Sequence, residues 1–169
     1  MGVTIHFEGK LKSEDAFAAL LQYVEEIAKA QTWLTEIFEH GEVTLLRVRD
    51  ETEWDYKGST KGIILYIHED CDPLRLEFDQ DLYIQEFVKT QFAGVGTHIQ
   101  LIALLREFQV FFVDLKVEDE GEYWETGDEA VLAEHIHCCD EMISEEARKN
   151  PSAQVKVRTP DGRPMDILE

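Results

Sequence analysis

The residues best equipped for chemistry lie in the second half of the chain. Lys89 to His98 reads KTQFAGVGTH, a strand end running into a glycine-bearing turn that opens a helix. Backbone amides at a helix start have no intrahelical acceptor, and Gly94 and Gly96 let a ligand come close to them. A phosphate or carboxylate is the small anionic ligand this arrangement suits, with Lys89 as its counter-charge. The plainer reading is that the two glycines shape the turn and Thr97 caps the helix. The third glycine of a dinucleotide fingerprint is missing, and nothing resembles a Walker loop.

A second stretch, Glu122 to Glu125 (EYWE), sets Tyr123 and Trp124 between carboxylates. Aromatic faces flanked by acids suit a cation, a sugar-like ligand or an arginine from a partner protein. The same rings would also serve to cover the end of the core. His98, Glu122 and Glu125 are the isolated acid or base candidates if they face a pocket. No triad order, Gly-x-Ser-x-Gly elbow or His-Glu-x-x-His motif accompanies them, so catalytic residues and cofactor stay unassigned and both enzyme and binding-protein readings stay open.

The third stretch, His135 to Glu141 (HIHCCDE), gathers nitrogen and sulfur ligand types. On a helix, His135 and Cys139 share one face and His137 and Glu141 another, so one metal takes only part of the set. Zinc would need further ligands such as His68 and Cys71, and the paired spacing of common zinc motifs is absent. Cys139 falls on the apolar stripe of its helix and reads as a small core residue, beside Cys138. No metal site is assigned.

Charge narrows the choice of partner. Twelve acidic and no basic side chains fall between Glu118 and Glu146, in a chain of 169 residues with formal net charge −20. Nucleic-acid phosphates and anionic lipid would meet this chain with long-range repulsion, whereas basic proteins and cations would be attracted. Acidity that only keeps the protein soluble is the simpler alternative. No apolar stretch approaches the roughly 18 residues of a membrane span, and MGVTIHFEGK lacks a signal peptide's basic region and apolar core, so a cytoplasmic protein is expected. His6 stands where a myristoylation signal wants Ser or Thr. Three cysteines, two of them adjacent, do not make a disulfide framework and are expected reduced.

The elements that must position these residues follow from periodicity. Val3, Ile5 and Phe7 alternate with Thr4, His6 and Glu8, as in a strand with one buried face, ending at Gly9 and Lys10. Ser13 caps a helix with the stripe Phe17, Leu20, Leu21, Val24, Ile27 and Ala28, running to about Ala30. Trp33, Leu34, Ile37 and Phe38 extend it or pack beneath the next connection, and Gly41 is the clearest break. Strands are expected at Val43 to Val48, Gly62 to His68, Leu74 to Phe78 and Leu82 to Phe92, as an antiparallel meander. The polar joint Arg49 to Lys61 reads as a hairpin loop or flap, with Trp54 and Tyr56 folded back on the core.

A second helix, His98 to Phe108, is apolar around most of its circumference and is expected to be the most buried. The next strand should set Phe111, Val113, Leu115 and Val117 on one face and Asp114, Lys116 and Glu118 on the other. Thr126 and Glu129 have capping-box spacing before a third helix with the stripe Leu132, Ile136, Cys139 and Ile143, stopped at Asn150-Pro151. Residues 152–169 read as a loosely held polar tail with one extended piece at Val155 to Val157 and a Pro-Asp-Gly turn at 160–162.

Three blocks, TIHFEGKL at 4–11, KTQFAG at 89–94 followed by His98, and EYWETGD at 122–128, together resemble a family of uncharacterised bacterial proteins, a domain of unknown function. The resemblance covers most of the chain to about residue 145. It implies a bacterial cytoplasmic origin and carries no activity, cofactor or partner.

The expectation is a single α+β domain over 1–150, with a mainly antiparallel sheet of about six strands and three helices packed on one face, then a polar tail over 151–169. Function is expected to be that of a non-enzymatic binding or regulatory module whose acidic surface meets a basic protein partner. The alternative is a small-molecule-binding protein or enzyme with a pocket between the 89–98 turn and the 122–126 loop. In that pocket Lys89 and the amides after Gly94 hold an anion, His98 handles a proton, and Tyr123 and Trp124 pack on the ligand. Oligomeric state is open.

Overall fold

Alternation at the start of the chain puts Ile5, Phe7 and Leu11 inward and His6 and Lys10 outward on strand β1 (Thr4–Leu11). A computed structural model describes residues 2–49, 51–160 and 163–168. Among them the chain is an α+β fold of eight strands and four α-helices, and every strand pairing is antiparallel. Ser13 caps α1 (Glu14–Gln31), its hydroxyl accepting from the Ala16 amide at 3.1 Å, and Leu20, Val24 and Ala28 turn into the core. β4 (Leu74–Phe78) and β5 (Tyr83–Lys89) lead to α2 (Val95–Phe108), which buries His98, Leu101, Ile102, Leu104, Leu105 and Phe108.

The single sheet expected from the meander is divided. β5, β1 and β6 (Phe112–Asp119) form one sheet in the order β5-β1-β6; β2 (Leu34–Arg49), β3 (Thr52–Tyr66) and β4 form a second in the order β2-β3-β4. The tail makes a third, a hairpin of β7 (Gln154–Arg158) and β8 (Pro164–Leu168), where a loose segment was expected. The expected turn at 160–162 falls at residues 161 and 162 outside the described residues. α1 and α2 enter the main core with both larger sheets. The helix α4 (Glu129–Lys149) covers a smaller cluster of Val3, Leu132 and Ile136 beside the main core.

Three local expectations change. Residues 34–38 are strand, not helix: Thr32 adopts a left-handed conformation (φ 59°) that ends α1, and Gly41 lies within β2 at a bulge between His40 and Val43. The joint at 49–61 is mostly strand, because β2 and β3 continue as a long two-stranded arm. In β6 the register shifts opposite Lys10 and Leu11, so Phe112 turns inward and Val113 outward; Leu115 and Val117 keep the expected face.

Buried charge pins the arm to the body. Arg47, only 1% exposed, donates to the Asp79 carboxylate at 2.5 Å and lies 4.8–5.4 Å from the ring centroids of Tyr83, Tyr56 and Trp54. The other Asp79 oxygen accepts from the amides of Asp81 and Tyr83 in the β4–β5 turn. Trp54 and Tyr56 therefore do fold back, around an arginine cation.

Candidate functional site

Asp119 ends β6 on the inward face that begins with Leu115 and Val117, and this one buried carboxylate organises the joint after the strand. One oxygen accepts from the Gly121 amide at 2.8 Å, the other from the Trp124 amide at 2.9 Å. The second bond supplies a start for the short helix α3 (Tyr123–Thr126), whose own preceding residue, Glu122, is left-handed (φ 57°) and offers no side-chain cap. A β-carbon on Gly121 would lie 2.5 Å from Leu132 Cδ1 and 3.1 Å from His98 Cε1, so this position admits a glycine for reasons of space.

His98 is completely buried against this joint. Its Nε2 lies 3.0–3.1 Å from both Asp119 oxygens, and its Nδ1 is 2.7 Å from the Thr90 hydroxyl. Burial works to raise the Asp119 carboxyl, but the His98 ring and the Trp124 and Gly121 amides outweigh it and hold the group below its ordinary value. Thr90 in turn accepts no role at the surface: its amide bonds to the Val3 carbonyl at 3.0 Å, tying β1 to the turn before α2. A ligand in the expected pocket would not meet His98, because both ring nitrogens are engaged inside the protein. Its role is to join β6, α2 and the start of β1.

The Tyr123-Trp124 pair is also largely used within the chain. Both rings are half-buried and pack against the main core. The Arg106 guanidinium lies 4.5 Å from the Trp124 ring and donates to its carbonyl at 2.6 Å, so α2 supplies the cation that the acidic-aromatic motif suits. Helix α4 is capped by Asp128, whose side chain accepts from Ala130, and not by Thr126, which closes α3 with a bond to the Glu122 carbonyl. Gly94 precedes α2 at φ 86°, a conformation that favours glycine, and no side chain caps that helix. Thr97 therefore lies inside the first turn. Gly96 is exposed with open space beyond it.

An open groove of about 1070 Å³ lies beside this joint, bounded by the start of β1, the outward face of β5, α4 and the tail hairpin. Phe87, Met142 and Met165 are its exposed apolar members. Lys89 lines it, as do His6, Glu120 and His135; Gly94, Gly96, Thr97, His98, Tyr123 and Trp124 do not. The structure thus separates Lys89 from the residues expected to share its ligand. Alternation explains this: Lys89 pairs with Thr4 at the end of β5, and the chain then turns inward at Thr90.

Two side chains that sequence reading passed over shape the groove. Gln91 is buried and clamps α4 to the sheet, accepting from the Val3 amide and donating to the Ile136 carbonyl and Asp140. Arg163 of the tail stacks 4.3 Å from the Phe87 ring and bonds to Glu86 and the Phe87 carbonyl, docking the hairpin. Burial raises Glu86 above its ordinary value, with Arg163 opposing. The signals were a glutamine beside an apolar strand end and an arginine in a polar tail, neither specific without the contact.

On the rim, His135 meets Glu122 at 2.7 Å and His6 meets Glu120 at 3.7 Å, all four side chains well exposed. Glu125 is exposed. Cys138 is exposed, Cys139 packs on the smaller cluster, and Cys71 is buried, its thiol pushed up to about 12 mainly by that burial. Among the described residues no three His, Cys, Asp or Glu side chains converge as metal ligands, and no helix is long and apolar enough to cross a membrane. The chain matches no protein-family model, no curated protein and no solved structure.

Proposed function

We propose that the chain is a non-enzymatic binding or regulatory module of the bacterial cytoplasm that recognises a basic segment of a partner protein. The observation that carries this reading is the acidic side built from the end of β6, α3 and α4. Of the twelve carboxylates between Glu118 and Glu146 only Asp119 is buried, and no lysine or arginine interrupts them. Such a field steers a basic partner into encounter and repels nucleic acid and anionic lipid. The groove beside it supplies what charge lacks, an apolar anchorage at Phe87, Met142 and Met165. Against a catalytic role stands the chemistry of the strongest acid-base candidate, since His98 is sealed between Thr90 and Asp119.

Fluorescence anisotropy with a lysine- and arginine-rich peptide carrying aliphatic residues tests the reading, with a glutamate-rich peptide as control. The basic peptide should bind and the control should not. Glu134→Lys with Glu146→Lys should weaken binding about tenfold, or about 1.4 kcal/mol. Equal binding of both peptides, or none of either, would reject the proposal.

A further inference from the structure

We infer that the free edge of β2 is a self-association surface, on which a second copy of this chain pairs antiparallel to extend the β2-β3-β4 sheet. β2 is an edge strand of sixteen residues, about 50 Å at roughly 3.3 Å per residue. Proteins ordinarily protect such edges with short length, lysine, proline or a bulge. Here no lysine or proline occurs from Leu34 to Arg49, and the edge is protected only in part, by the bulge between His40 and Val43, scattered charges and the buried Arg47. The strand instead displays apolar side chains at both ends: Leu34 is 76% and Leu46 83% exposed, with Ile37 and Val48 also exposed.

The order of charges selects the occupant. Glu36 and Glu39 lie in the first half of β2 and Glu42 just past its midpoint, with Arg47 and Arg49 near the far end. Arg47 is held by Asp79, but Arg49 is exposed. A two-fold axis across the strand sets the acidic half of each copy against the half bearing Arg49 of the other, and Ile37 against Val48. Parallel pairing would oppose like charges. The register that puts Glu36 opposite Arg49 also puts Ile37 opposite Val48, so one charge pair and one apolar pair form together. The edge already takes a strand-like partner at one point: the Gln85 side chain accepts from the Val48 amide at 2.9 Å and donates to its carbonyl at 2.7 Å. Pairing in that register replaces this amide with backbone. Beyond Leu34 the surface continues into a second groove of about 710 Å³ with Trp33, Tyr66 and Ile67.

No residue of β2 lines the groove beside α4, so this surface is independent of the basic-partner site. The two also differ in salt response. Two chains of net charge −20 repel, so association should tighten as salt screens them, whereas binding of a basic peptide should weaken. Sedimentation velocity on the full chain at rising micromolar concentration, at low and high salt, tests the inference. Wild type should reach twice the mass of one chain, more readily at high salt. Ile37→Lys with Leu46→Lys should weaken the dimer at least tenfold with an unchanged circular-dichroism melt, and Leu46→Glu alone serves if the double variant misfolds. A Met142→Asp variant in the groove should dimerise as wild type does. A wild-type chain that stays monomeric at every concentration and salt overturns the inference. So does a dimer indifferent to both edge variants, or a monomer whose edge binds an added strand peptide.

Discussion

The sealed joint at His98 and the open rim at His135 each pair a histidine with a carboxylate, to opposite ends. At the joint, Asp119 meets one imidazole and two amides, and the His98 and Asp119 side chains are fully buried. At the rim, His135 and Glu122 form a short pair while their side chains remain 40% and 59% exposed. A buried pair is costly to break because removal of one partner strands the other, whereas solvent replaces a lost partner at the surface. Burial, and not residue type, therefore decides which pair holds the fold and which is free to meet a partner.

Asp119→Ala should break the joint most severely. It leaves the His98 ring and the Gly121 and Trp124 amides without their acceptor, a loss of about 3–5 kcal/mol in urea unfolding. A change under about 1 kcal/mol would show that the joint is not what holds α3 and α2 together. Gly121→Ala should cost less, about 1–3 kcal/mol, because Leu132 and His98 must yield to the added methyl. Unchanged unfolding would mean that the close approach relaxes freely.

Acid should separate the two settings further. The folded Asp119 carboxyl lies below its ordinary value of about 3.9, so its stabilisation is complete above that pH and is lost as pH falls through the lower folded value. The stability gap between wild type and Asp119→Asn should therefore be flat at neutral pH and close only under strong acid. A gap that closes between about pH 5 and 7 would assign the dependence to histidine instead. The smallest effect belongs to the rim, where His135→Ala should shift stability by no more than about 0.5 kcal/mol. A loss as large as that of Asp119→Ala would erase the distinction.

Much of this organisation was legible in the order of residues. Alternation marked β1, serine at position 13 marked the start of α1, and the stripe of Leu132, Ile136 and Ile143 marked α4. These signals are local, each written within a few residues of the structure it specifies. The misreadings share a different cause. Leu34, Ile37 and Phe38 have helical spacing, but a threonine in a left-handed conformation ends the helix without the usual glycine, and with only Phe38 buried over residues 34–38 no alternation marks the strand there. Asp119 lay unremarked in the acidic run because its value depends on His98, twenty-one residues away. Its place on the same face as Leu115 and Val117 was the available clue. The groove was the least legible feature, since it is assembled from β1, β5, α4 and a tail whose docking rests on Arg163.

An ionic-strength series on basic-peptide binding tests the role of the open side most directly. Between about 0.01 and 1 M salt the Debye length falls from about 30 to about 3 Å, which removes steering by exposed carboxylates while sparing apolar contact. Affinity should fall steadily across the series for wild type and much less for Glu134→Lys with Glu146→Lys. Binding of undiminished strength at the highest salt, with the same slope in both proteins, would contradict recognition through the acidic side.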